Sequence, residues 1–264
     1  MIRSLLLVPV ATLAAGLLLA FALATAPAHA QSSDASTAVD FTAVDSLRTH
    51  GAFRDAYARL STLRNQHPES APVLWRRALV QVDLGEGADS DRRRNSLYEQ
   101  ALADAQAAVA ADSADSHAHL AVAVAEGRVA LTAGTREKVR RSRAVKHHAD
   151  RALALDSTLA SAYHVRARWN REVADLGFFS RTLVKAVYGG LPEASFEQAV
   201  RDFQTAIRLE DKVIHHLELA KTYVKMDRED DARTAFRTAI DMEPVDPDAP
   251  MHKEEARDRL DDLG

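Results

Sequence analysis

From about residue 40 onward, apolar clusters recur at helical spacing, and the sizes of the apolar residues follow a second rule. Between Val213 and Pro244, Leu219, Ala220 and Tyr223 precede Ala232, Phe236, Ala239 and Pro244. This spacing predicts two antiparallel helices. The first carries a large–small pair and an aromatic; the second carries small, large and small residues, closed by proline. Helices approach closely where one offers an alanine to a bulky side chain on the other, and proline cannot continue a helix.

The second-helix signature recurs along the chain. Gly51 marks a turn before Phe53, Ala56, Leu60 and Leu63, and Pro68 closes that helix. Ala101, Ala105 and Ala108 follow, with Ser113 at the terminating position; then come Val145, Ala149 and Ala152 with Ser157, and Ala199, Phe203 and Ala206 with Asp211. Unrelated amphipathic helices share the 3.6-residue period but not this alternation of sizes, so the pattern predicts helical repeats. Outside the first thirty residues, Pro68, Pro72, Pro192, Pro244, Pro247 and Pro250 all fall at expected helix ends or connections. Met251–Leu263 carries Ala256, Leu260 and Leu263 among alternating charges and reads as a capping helix. The expected fold is all-α, a right-handed α-solenoid of about five tetratricopeptide-like (TPR) helix pairs and a cap, over residues 38–264.

The N-terminus follows different rules. Met1–Ala30 holds one charge, Arg3, then an uncharged apolar run from Leu5 to Ala26 and the small-x-small sequence Ala28-His29-Ala30. That is the form of a cleaved signal peptide; the alternative is an uncleaved anchor over residues 5–26, and a membrane is a partner only if the leader stays. Residues 31–37 form a polar spacer. Either way the remainder is expected outside the cytoplasm, in the periplasm or secreted.

Composition adds exclusions. The 264 residues include no cysteine, which removes disulfides and thiolate chemistry, and a formal net charge of −4 gives no general pull toward nucleic acid. Charge is nevertheless uneven. Residues 134–185 hold 12 Lys and Arg against 5 Asp and Glu, whereas 227–262 hold 13 acids against 6 bases. The densest basic run (Arg136, Lys138, Arg140, Arg141, Arg143 and Lys146) is either a solvated helix face or a surface for an anionic partner.

Three stretches exceed the repeat length: one between Trp75 and Tyr98, one around Gly134, and the largest between Trp169 and Phe196. With Leu74-Trp75-Arg76, Ser116-His117-Ala118-His119, Val145-Lys146-His147-His148 and the run from His164 to Phe196-Glu197-Gln198-Ala199, they carry a family likeness. The chain from about Val73 to Leu263 resembles the regulator-of-microtubule-dynamics family, a divergent tetratricopeptide group, here as an exported bacterial member. The resemblance implies an all-α scaffold that binds other proteins; eukaryotic members are associated with microtubules and membrane contacts.

Local signatures of chemistry are missing from the sequence. It holds no Gly-x-Gly-x-x-Gly, Gly-x-x-x-x-Gly-Lys, Gly-x-Ser-x-Gly or His-Glu-x-x-His, so neither catalysis nor a cofactor is expected. The histidine pairs His117/His119, His147/His148 and His215/His216 lack the i,i+3 or i,i+4 spacing of helical metal ligands. The competing reading, a periplasmic metal- or small-ligand-handling protein, would need a composite site such as His119, His164 and His216. The expected function is a non-catalytic scaffold that holds a protein or peptide, with groove residues Trp75, His119, Arg166, Asn170 and His216. Phe178, Phe179, Arg181 and Lys185 are expected in a lid or partner surface.

Overall fold

The computed structural model describes residues 39–264, with backbone alone at 178, 179, 181 and 183. The leader and spacer expected over 1–37, and the side chains of Phe178, Phe179 and Arg181, lie outside the described residues. Residues 40–264 form one compact unit whose regular elements, among the described residues, are all helices.

Five helix pairs follow one another. They are α1 (Thr42–Thr49) with α2 (Phe53–Gln66), α3 (Ala71–Glu86) with α4 (Asp91–Ala111), and α5 (Ser116–Ala130) with α6 (Thr135–Leu155). α7 (Ala160–Ala174) pairs with α9 (Phe196–Leu209) across an inserted helix α8 (Phe178–Tyr188), and α10 (Val213–Lys225) pairs with α11 (Glu229–Asp241). The cap, α12 (Ala249–Asp261), rests on α10 and α11. The result is an α-solenoid in which each first helix also meets a neighbouring pair.

The size alternation does what close packing requires. Ala56, Leu60, Ala101, Ala105, Ala108, Ala149, Ala152, Ala199, Phe203, Ala206, Ala232, Phe236 and Ala239 are all fully buried. Helix starts are set locally: the side chains of Ser90, Asp115 and Ser195 accept hydrogen bonds from the first turns of α4, α5 and α9. Pro72 and Pro250 sit in the first turns of α3 and α12, where a missing N–H costs nothing.

The length surpluses resolve in two ways. α4 and α6 run for 21 residues each, against 14 for α2 and α9, so two surpluses lengthen second helices. The third becomes α8, which does not come between α7 and α9 but stands outside them, touching α6.

First helices are also joined by charge to one another and, at the end of the array, to the cap. Arg48 pairs with Asp83 at 2.6 Å, Arg128 with Glu86, Arg171 with Glu218 at 2.6 Å, Lys225 with Asp175 at 2.8 Å, and Lys221 with Glu255 at 3.0 Å. The two ends of the array meet. A Cβ added to Gly51, whose φ of +73° suits the α1–α2 turn, would lie 3.2 Å from the Cβ of Pro247 in the connection before α12.

Candidate functional site

Three of the five expected groove residues turn toward the protein's own atoms. Trp75 donates from Nε1 to Asp115 at 3.1 Å, and its ring stacks on His117 at 4.8 Å. Asp115 is the carboxylate that caps α5, so Trp75 joins the second and third pairs. His119 is 5 % exposed; its Nδ1 lies 2.9 Å from Nδ1 of His148 and its Nε2 lies 3.1 Å from the Ser113 carbonyl. His216 meets Asp211 at 2.7 Å.

His164 repeats the paired arrangement, with its Nδ1 2.9 Å from Nδ1 of His215 across α7 and α10. Burial, then the neighbouring His119 and His147, pushes His148 down to about 4. Burial also pushes His215 down to about 4, and His164 falls well below its ordinary value through burial and then its His215 neighbour. His119, His164 and His216 therefore go to separate partners. Among the described residues no group of three or more His, Asp or Glu side chains is placed to hold a metal ion.

Arg166 and Asn170 are brought together, and they line a cavity of about 700 Å³. α6 contributes Lys146; α7 contributes Arg166, Asn170 and Val173; α9 contributes Gln198 and Arg201. The opposite wall is the end of α8, Val184 and Lys185, and the non-helical segment from Gly190 to Ser195. Arg166 donates to both oxygens of Asp202, at 2.8 and 2.7 Å, and lies 3.4 Å from Asp150, which also pairs with Lys146. Asn170, 2 % exposed, donates back to the Arg166 carbonyl at 3.0 Å. Thus two of the four lining bases are engaged with carboxylates, while Lys185 and Arg201 are exposed at the rim.

The dense basic run on α6 is largely used internally. Arg140 pairs with Glu137, whose carboxyl that hydrogen bond holds down to about 2, and Arg141 reaches Glu126 at 2.6 Å. Arg136 and Lys138 remain exposed. Arg143 does something the sequence does not announce. Its guanidinium donates to the carbonyls of Tyr188 and Gly190, with Nε 2.9 Å from the latter, and so ties the end of α8 to α6. Gly189 and Gly190, with φ of +76° and +81°, make the turn that presents those carbonyls. The Gly189-Gly190-Leu191-Pro192 run signals a helix break, but nothing local to Arg143 signals its partner 47 positions away.

The succession of helix pairs, with small–large–small second helices, defines a tetratricopeptide-type α-solenoid. Its fold is shared by TTC0263, a thermophilic TPR protein of Thermus thermophilus, with a TM-score of 0.59 and 19 % identity over 81 % of this chain and 95 % of that one. The Regulator of microtubule dynamics protein 1-3 family matches residues 40–264, and the chain belongs to that family. Regulator of microtubule dynamics protein 1 of Bos taurus is 27 % identical over 173 residues, 64 % of this chain and 55 % of the relative. The Caenorhabditis elegans protein 1 is 26 % identical over 204 residues, covering 76 % and 88 %. The chain spans about half the length of the mammalian protein 1 relatives it matches.

Proposed function

We propose that this chain is a non-catalytic protein-interaction scaffold that works outside the cytoplasmic membrane, delivered there by residues 1–30. The observation that carries the scaffold reading is the cavity on α6, α7 and α9, walled by an insertion that the repeat pattern itself does not need. A solenoid supplies preformed surface, so a partner is held without first ordering its host. Export rests on Arg3, the apolar run Leu5–Ala26 and Ala28-His29-Ala30. The names of the relatives tie those proteins to microtubule dynamics; an exported chain would act on a different partner.

The test has two arms. The full chain, tagged at its C-terminus, is fractionated and the N-terminus of the product sequenced. A chain beginning at Gln31 in the soluble envelope fraction is expected. A product that begins at Met1 in the membrane pellet replaces cleavage by an anchor at 5–26, and recovery from the cytosol overturns export. In the second arm, proteins cross-linked to the mature chain in its native envelope are purified and titrated against it. A reconstituted complex of defined stoichiometry supports the scaffold; none reconstituting overturns it.

A further inference from the structure

Of the four bases that line the cavity, Arg166 and Lys146 already hold Asp202 and Asp150, but Lys185 and Arg201 are exposed with no carboxylate partner among the described residues. Arg201 donates to the side-chain oxygen of Gln198 at 2.6 Å. One lining carboxylate, Glu193, faces this surplus. The rim therefore favours anionic groups on whatever enters.

Its wall is unusual for a helical repeat. In a helix pair the backbone groups bond to one another, but the backbone N–H groups of Leu191, Glu193 and Ala194 donate to no group among the described residues. Pro192 forces Leu191 toward extended backbone, and Ser195 is extended, with φ −145° and ψ 154°. A non-helical segment whose main-chain donors are left unbonded offers them to an extended chain laid along it. It is also held in place. Arg143 grips the carbonyls of Tyr188 and Gly190 just ahead of it, and Ser195 just after it caps α9. Val173 and Leu176, at and just after the end of α7, supply an apolar floor, and Val184 and Leu191 add apolar lining on the wall.

We propose that this cavity docks an extended, acidic segment of a partner protein, which pairs with the backbone of residues 191–194 and sets its carboxylates against Lys185 and Arg201. Alternate residues of such a segment point to opposite sides, so acidic side chains reach the rim while apolar ones reach the floor. Arg143 acts at one remove as a positioning residue. The inference rests on the scaffold reading and names the site and partner chemistry within it.

The probe is a fluorescein-labelled peptide alternating Glu and Leu, compared with its Gln–Leu counterpart, titrated into the mature chain by fluorescence anisotropy at low and high salt. The acidic peptide is expected to bind about tenfold or more tightly than the neutral one and to weaken with salt. The Lys185→Glu/Arg201→Glu double variant, changed at two exposed positions, should keep its melting curve and lose that preference. Arg143→Ala should weaken the acidic peptide and raise hydrogen exchange over 188–195 selectively, with partial rescue by Arg143→Lys. Equal binding of both peptides, or full binding by the double variant, overturns the proposal. So does capture of the chain by anionic phospholipid vesicles that exclude the peptide and need the same two bases, which would make the site a membrane contact. A reconstituted protein complex indifferent to the double variant removes this site and leaves the scaffold standing; no complex and no peptide binding removes both.

Discussion

Gly85 and Gly127 are both glycines inside first helices, and substituting alanine at each should have opposite effects. Helix propensity alone favours alanine by up to about 1 kcal/mol at either position. Around Gly127 the added methyl meets Val145 Cγ2 at 3.9 Å, an ordinary contact, so Gly127→Ala should stabilise by roughly 0.5–1 kcal/mol. At Gly85 the same methyl would sit 2.4 Å from Cε1 and 2.8 Å from Cδ1 of Tyr98. That ring is 4 % exposed and packed among Ala78, Leu79, Val82, Ala101 and Leu102, so it cannot swing clear. To restore contact distance, α3 and α4 must separate by about 1 Å, and overpacking of this kind costs about 1–3 kcal/mol. Set against the propensity gain, Gly85→Ala should destabilise by about 1–2 kcal/mol, lowering Tm by roughly 2–8 °C for a domain of this size. Thermal melting with urea titration reads both variants. Tyr98→Leu in the Gly85→Ala background should recover part of the loss, a coupling that a double-mutant cycle isolates. If Gly85→Ala melts at or above the parent, the close α3–α4 approach at Tyr98 is wrong.

The ion pair of Arg171 with Glu218 joins α7 to α10 with both side chains buried; Glu218→Gln would leave the Arg171 charge with the exposed Glu172 carboxylate and the backbone carbonyl of residue 218, at a cost of about 3 kcal/mol. Burial pushes the Glu218 carboxyl up, but Arg171, Arg168 and Lys221 together hold it well below the ordinary value. Its contribution is therefore present above the ordinary carboxyl range and lost as pH falls below about 4.5; a Glu218→Gln variant matching the parent at pH 7 would contradict this. His148 and His215, both pushed from 6.5 to about 4, bind protons more readily unfolded than folded. Stability should be complete above about pH 6.5 and decline from there toward pH 4, and His148→Gln with His215→Gln should flatten that decline; an unchanged slope sinks the assignment. Ala232→Trp places an indole where the alanine is 0 % exposed, and should strip hydrogen-exchange protection from α10, α11 and α12 while α3 to α6 keep theirs; an unaltered melting curve would show that this second-helix contact is misplaced.

The second helices were legible because their packing is written at fixed local spacing. Ala199, Phe203 and Ala206 stand four and three positions apart, and all three are buried where close approach demands small, large and small. The cap was legible for the same reason, with Ala256 buried and Glu254, Arg257, Asp258 and Arg259 exposed. First helices were harder to orient, since they pack on both sides. In α5, Ala118, His119, Leu120, Ala121, Val122, Ala123, Ala125 and Glu126 are all buried, which leaves little polar face to distinguish groove from neighbour. That is why the sequence could place Trp75, His119 and His216 on first helices without showing that their polar atoms meet Asp115, His148 and Asp211. Arg166 and Asn170 do reach the cavity, but its other wall comes from Gly190–Ser195, and the hydrogen bond that fixes it runs from Arg143 across 47 positions. No period encodes such a contact.

The placement of the cavity follows from what a regular repeat leaves over. First helices use their charges on one another and on the cap, as Arg48 with Asp83, Glu86 with Arg128 and Lys221 with Glu255 show, and partly exposed pairs of this kind stabilise modestly but occupy the surface that faces them. Second helices use their alanines for close contact with first helices. A smaller hollow at the start of α4, lined by Arg92 and Arg93, is formed by that one helix, and neither kind of helix brings a separate wall against unpaired charge among the described residues. The insertion after α7 does, because α7 still packs directly on α9 and the extra residues have to run outside that contact. The end of α8 is tied back to the array by Arg143, and the residues that follow must cross to the start of α9 without helical bonding. The same geometric necessity that breaks the repeat exposes backbone donors beside Lys185 and Arg201. A partner that reads this chain by its departure from the repeat would distinguish it from regular arrays of the same fold, which have no such wall.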